Sequence, residues 1–255
     1  MTIILAIKAE NGIVLIADRR VTYTVGDVIE FSSENEKIVQ IGKNTIMGFS
    51  GDLKNSGQLV MLLKNNSEAL DNDMFNALND LKEEIRKIDL DCECLLAGKV
   101  NNDLAVVRLT ADKRNRVLEI EITVQQVEAA GDIISMFSHL NLTIQQYINY
   151  LGEMRKSFTV DEAEFLGYIT IMDISMSGAM SIGNGVNIWH LVKDGKNINM
   201  EKTSEWKLND IFPTAYAHYN KKKIGAIVDA INLIEKLYGK DIGELRREGE
   251  KDKVY

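Results

Sequence analysis

Short apolar runs rich in β-branched residues open the chain, broken by polar turns, and stretches with helical spacing follow. Residues 2–8 (TIILAIK) and 13–18 (IVLIAD) flank Glu10-Asn11-Gly12 and read as a hairpin. A second pair is expected at about 37–41 and 45–50, turning at Gly42-Lys43-Asn44, with the polar stretch 23–35 as a loop between the pairs. Helices are expected at about 53–64 and from about Asp73, where Met74, Ala77, Leu78, Leu81, Ile85 and Ile88 recur on one face. Strands return at about 92–99, 104–110, 117–122 and 125–130 and suggest a second antiparallel meander.

From Asp132 to about Ser177 the pattern is helical again, ending in the glycine-punctuated SGAMSIGNG. Strands at 186–192 and 197–201 turn at Asp194-Gly195, and a last helix is expected at about 214–238, just after Pro213. Strand groups alternating with helix groups, without regular βαβ units, predict an α+β fold. The expected architecture is a four-layer αββα sandwich of two antiparallel sheets between helical layers. One domain over 1–240 is expected, with extra helical material about 133–156 and a charged tail at 241–255.

Charge removes some functions. A net charge of −8 repels a phosphate backbone, and no basic stripe interleaved with aromatics offsets it, so nucleic acid is not an expected partner. The start MTIILAIKAEN has no basic n-region and reaches Glu10 before a long apolar stretch forms, so it reads as neither a signal peptide nor a membrane span. A cytoplasmic protein is expected. The two cysteines, Cys92 and Cys94, share one face of a strand and lack the second ligand pair of a zinc site, so they read as buried thiols. No metal or cofactor is expected, and His139, His190 and His218 are too scattered to suggest catalytic or ligand spacing.

The amino terminus carries the chemistry. Thr2 is small enough for removal of Met1, which exposes an α-amino group whose ordinary pKa is about 7.7–8.0. An alcohol is a weak nucleophile until a base takes its proton, and here that base sits on the same residue. With a three-residue loop and Gly12 left-handed, Ala9 pairs with Ile13 and Thr2 falls opposite Arg20, sharing a face with Asp18. A two-residue loop puts Thr2 on the other parity. Asp18 closes an apolar strand and needs a cation, for which Arg20, Lys37 and the freed amino terminus are candidates.

The segments TIILAIKAENGIVLIADRRVT and EKIVQIGKNTIMGFSGD resemble the start of proteasome β subunits and of smaller bacterial proteasome-like peptidases. The shared pattern is a threonine at the mature terminus, AD-x-R-x-T closing the second strand, a lysine opening the third, and a small residue before glycine after the fourth. The resemblance implies the N-terminal-nucleophile (Ntn) hydrolase fold and a threonine-type peptidase, working through an acyl-ester on Thr2. It implies Asp18 as the buried carboxylate, Lys37 as the cation that eases deprotonation of the hydroxyl, and Gly51 as the oxyanion donor, with Arg20 in support. Thr22 matches a residue that binds substrate main chain, and Ile29, Phe31 and Phe49 fall where the specificity pocket is expected.

The match is incomplete in two places. The serine usually found in a Gly-Ser-Gly turn is replaced in Ala130-Gly131-Asp132. The Asp and Ser that normally precede the glycine turn become Ala179 and Ile182, leaving Asp132, Asp173, Ser177 and Ser181 as candidate substitutes. The resemblance implies a peptide or protein substrate and a homo-oligomer, as a ring or stacked assembly. Two alternatives share the fold: a transpeptidase like the archaeal proteasome-related protein ligases, and a non-catalytic scaffold subunit.

Overall fold

The computed structural model describes residues 2–25, 28–32, 36–51, 53–131, 159–176, 185–195 and 197–222. The chain divides after Lys202 into two compact units, and the first holds every strand and most of the helices described.

The first unit opens with β1 (Ile3–Lys8) and β2 (Gly12–Asp18), then the ribbon β3 (Val21–Val25) and β4 (Val28–Ser32), then β5 (Ile38–Gln40) and β6 (Ile46–Gly51). Four helices follow, α1 (Leu53–Asn65), α2 (Ser67–Asn72), α3 (Met74–Asp80) and α4 (Lys82–Lys87). Then come β7 (Cys92–Val100), β8 (Asp103–Asp112), β9 (Val117–Ile122) and β10 (Val127–Gly131). The unit closes with α5 (Val160–Met176), β11 (Val186–Asp194) and β12 (Asn197–Lys202).

The strands form two five-stranded antiparallel sheets, β10-β1-β2-β11-β12 and β5-β6-β7-β8-β9, beside the β3–β4 ribbon. Alternation along each strand sorts the core into layers. Ile4, Ala6, Leu15 and Ala17 of the first sheet meet Ile46, Leu95, Ala97 and Val106 of the second. The opposite face of the second sheet, with Met47, Phe49, Cys92, Cys94 and Leu96, packs under Leu59, Leu63, Met74, Leu78 and Ile85 of the helices. α5 covers the first sheet, where Gly167 lies so close to Ile16 that a Cβ on the helix would overlap its Cδ1. The α+β sandwich predicted from the pattern is the fold observed.

Several elements differ from the pattern reading. Within the stretch expected to loop, V-T-Y-T-V and V-I-E-F-S pair as β3 and β4, their β-branched and aromatic residues being strand formers. The expected long helix from Asp73 breaks at Leu81, whose N–H bonds back to Ala77 while α4 starts anew. β10 does not extend the meander; it leaves β9 and pairs with β1 in the other sheet. The first two hairpins likewise go to different sheets.

The first hairpin corrects the expected register. Ala9 N–H donates to Gly12 C=O at 2.8 Å, so the loop is the two residues Glu10-Asn11, and Ile4 pairs with Ala17 and Lys8 with Ile13. Thr2 therefore continues opposite Arg19, not Arg20. Gly12 is required for space: a Cβ there would lie 2.5 Å from the Leu191 carbonyl oxygen of β11.

The second unit, from Thr203, contains a π-helical turn (Lys207–Ile211) running into α6 (Phe212–Lys222), with Leu208, Ile211, Phe212 and Ala215 buried. Pro213 follows the π-helical turn in a helix that runs on without a break, and its missing N–H leaves out one bond of the backbone ladder at that wider turn. The extra helical material expected at 133–156, the later part of the last helix and the charged tail lie outside the described residues. Among the described residues no helix is long and apolar enough to cross a membrane.

Candidate active site

Asp18, the last residue of β2, is fully buried, and ionising a carboxylate away from water requires compensation from every side. Its Oδ1 accepts the Ile3 N–H at 3.0 Å and the Lys37 ammonium at 2.8 Å. Its Oδ2 accepts the Arg20 N–H at 3.1 Å and the same ammonium at 2.9 Å. The two-residue loop makes this possible, because the register then sets Asp18 opposite Ile3 and brings the carboxylate to the peptide that follows Thr2.

Of the cations left open by the sequence, Lys37 forms a close ion pair with Asp18, and it is itself buried just before β5. Burial pushes the Lys37 ammonium below its usual value, against the pull of Asp18 and with help from the Arg20 charge. A lysine with a weakened hold on its proton, one carboxylate away from the Thr2–Ile3 peptide, suits proton traffic at a neighbouring hydroxyl. Arg20 contributes a backbone donor and a like charge.

Across the inter-sheet space stands the end of β6. Gly51 has φ +112, the left-handed side that glycine tolerates, and a Cβ there would overlap the Asp91 carbonyl oxygen. Gly131, at the end of β10, has φ +107 and pairs with Ile3, and its Cα packs against the Thr2 carbonyl. A side chain at 131 would overlap that oxygen, which gives a steric reason why serine is absent from this turn. The Gly131 N–H donates to Glu93 Oε2 at 2.8 Å.

The structure thus brings together Thr2, Asp18, Lys37, the Arg20 backbone and Gly131, with Ser50 near Gly131. Phe49 does not join them: it is buried under α1–α4, because alternation along β6 turns it away from the face that Ser50 shares with Gly48. Asp173 lies half-buried near the end of α5. Thr22 sits in β3, and Ile29 and Phe31 in β4, at positions described by backbone only. Asp132, Ser177 and Ser181 lie outside the described residues. Glu93 was missed, although a carboxylate inside the apolar run C-E-C-L-L-A was a visible signal.

Two other polar features belong to the scaffold. Cys92 and Cys94 are buried with their sulfurs 3.8 Å apart. His190 Nδ1 lies 2.6 Å from the fully buried Glu164 carboxylate, linking β11 to α5. Among the described residues no group of three or more His, Cys, Asp or Glu side chains is placed to hold a metal ion.

Residues 2–72 match the proteasome subunit family. Over 78 residues the chain is 31% identical to proteasome subunit beta type-7 of Saccharomyces cerevisiae, an alignment covering 30% of this chain and 28% of that relative. The chain thus spans well under a third of the length of the curated relative it matches. The matched region contains Thr2, Asp18, Lys37 and Gly51.

Proposed function

We propose, from the match of residues 2–72 to the proteasome subunit family, that this chain is a threonine-type amidohydrolase that cleaves peptide or protein amides through an ester on Thr2. Removal of Met1 frees the α-amino group. Thr2 Oγ attacks the amide carbonyl while that amine takes the hydroxyl proton and then delivers it to the leaving nitrogen. The C–N bond breaks, the acyl half stays on Oγ, and water activated by the same amine hydrolyses the ester. Gly51, at the end of β6, would supply the backbone donor to the developing oxyanion that the resemblance assigns to it. The likeness of residues 2–72 to proteasome subunits supports a homo-oligomeric assembly.

One observation carries the reading: the buried Asp18 carboxylate holds both the Lys37 ammonium and the amide that follows Thr2. A buried ion pair contributes little net stability on average, so its location beside the terminal threonine points to chemistry.

Intact mass before and after reaction with a peptide epoxyketone tests this. The expected result is a protein lacking Met1 that gains one adduct, mapped to Thr2 and lost in Thr2→Ala with the fold unchanged. Retained Met1 with no adduct would overturn the reading in favour of a scaffold subunit. A competing amine added to a cleavable peptide then separates hydrolysis from acyl transfer to another chain.

A further inference from the structure

β7 is apolar around Glu93, and alternation places Glu93 with Leu95 and Ala97 on the face turned to the first sheet. A carboxylate there must find a donor. It finds the Gly131 N–H, at the end of β10 in the opposite sheet, at 2.8 Å. Ser50, paired with Glu93 across β6 and β7, donates its hydroxyl to the Glu93 carbonyl at 3.1 Å and borders the same glycine.

The sheet orders give this bond its meaning. β1, which carries Thr2 at its start, lies between β10 and β2, and β6, which carries Ser50 and Gly51 at its end, lies between β5 and β7. Lys37, beside β5, ties to Asp18 of β2 on one flank. Glu93 of β7 ties to Gly131 of β10 on the other. The two ties bracket the level at which the start of β1 faces the end of β6. A chain end frays unless it is held, and attack requires reacting atoms about 3–3.5 Å apart.

Resting on the reading of Thr2 as nucleophile, we propose that Glu93 is a positioning residue for the reaction. Its carboxylate holds Gly131 against the Thr2 carbonyl and thereby fixes the separation of the two sheets where the nucleophile works. What it supplies is an acceptor oxygen at the right reach, and its charge is secondary.

Three substitutions separate reach from charge. Glu93→Ala removes the acceptor, Glu93→Asp keeps the charge but is about 1.5 Å too short, and Glu93→Gln keeps the oxygen without the charge. At saturating peptide epoxyketone, the rate of adduct formation on Thr2 should fall about 10- to 100-fold in Glu93→Ala and Glu93→Asp. The half-saturating concentration should hold, and Glu93→Gln should stay within about threefold of wild type at every pH. Amide exchange at Gly131 should accelerate in the alanine and aspartate variants only.

An alanine variant that forms the adduct at the wild-type rate, or a glutamine variant as slow as the alanine one, overturns the proposal. If the alanine variant does not fold, the aspartate and glutamine pair decides by the same criterion. A wild-type protein that forms no adduct sinks the reading of Thr2 and this inference with it. A reactive wild type beside an equally reactive alanine variant sinks this inference alone.

Discussion

Asp71, in α2, accepts from the Lys43 N–H at 2.7 Å, the Asn44 N–H at 2.9 Å and the Thr45 hydroxyl at 2.9 Å, all in the turn between β5 and β6. Asp18 also accepts from two backbone N–H groups and one side chain, but its donors come from three separate segments and one is a cation. Asp71 is half-buried and occupies the space a Cβ on Gly42 would need, so glycine and carboxylate together pin the turn to the helix. Asp18 is fully buried. Neutral donors hold a shape, whereas a buried ammonium adds a charge whose proton affinity the fold sets. The kind of donor, not the number of bonds, separates the scaffold carboxylate from the one at the chemistry.

The contrast is broken most severely at Asp18. Asp18→Asn leaves Lys37 buried without its counter-charge and should cost about 3–5 kcal/mol in denaturant unfolding. Thr2 acylation in the folded fraction should fall about 100-fold or more, since both the lysine and the Ile3 amide lose their anchor. A variant acylating normally would remove Asp18 from the site.

Asp71→Ala removes three hydrogen bonds from neutral donors and should cost about 2 kcal/mol, read from the shift in denaturant midpoint. Its acylation rate should match wild type. If it fell as far as that of Asp18→Asn, the division between scaffold and site would be wrong.

The smallest effect is in pH. Burial makes the folded chain bind the Lys37 proton less tightly than a free lysine at 10.5, so between its lowered folded value and 10.5 the unfolded chain holds more protons and stability rises with pH. Wild type should therefore gain on Lys37→Arg, whose guanidinium stays protonated in both states, by at most about 1.4 kcal/mol per pH unit. Parallel stability curves up to pH 10 would mean that Asp18 fully offsets burial.

The need of Asp18 for a cation was legible in the sequence, and the structure pairs it with Lys37. Thr2, Asp18, Lys37 and Gly51 were singled out from the apolar runs at the start of the chain and from the resemblance. Even so, the hairpin argument placed Thr2 by the wrong register, since Gly12 marks a close approach to β11 and not a left-handed turn. The contact that links Asp18 to the amino terminus runs through the Ile3 amide, and side-chain parity does not encode a bond to the main chain. Phe49 was misplaced for a related reason. An aromatic on a strand announces burial, but which side it is buried on depends on the layer stacked there.

By itself the sequence determined most of the elements and their amphipathic faces, because alternation, turn residues and helical spacing are written in near neighbours. It also determined that a buried carboxylate at Asp18 needed a cation. Only the tertiary structure decided that the cation is Lys37, that β10 crosses to β1, and that Glu93 reaches Gly131. Each of those joins residues from different sheets or distant turns, and a charge inside a strand finds its partner only when another sheet is packed against it.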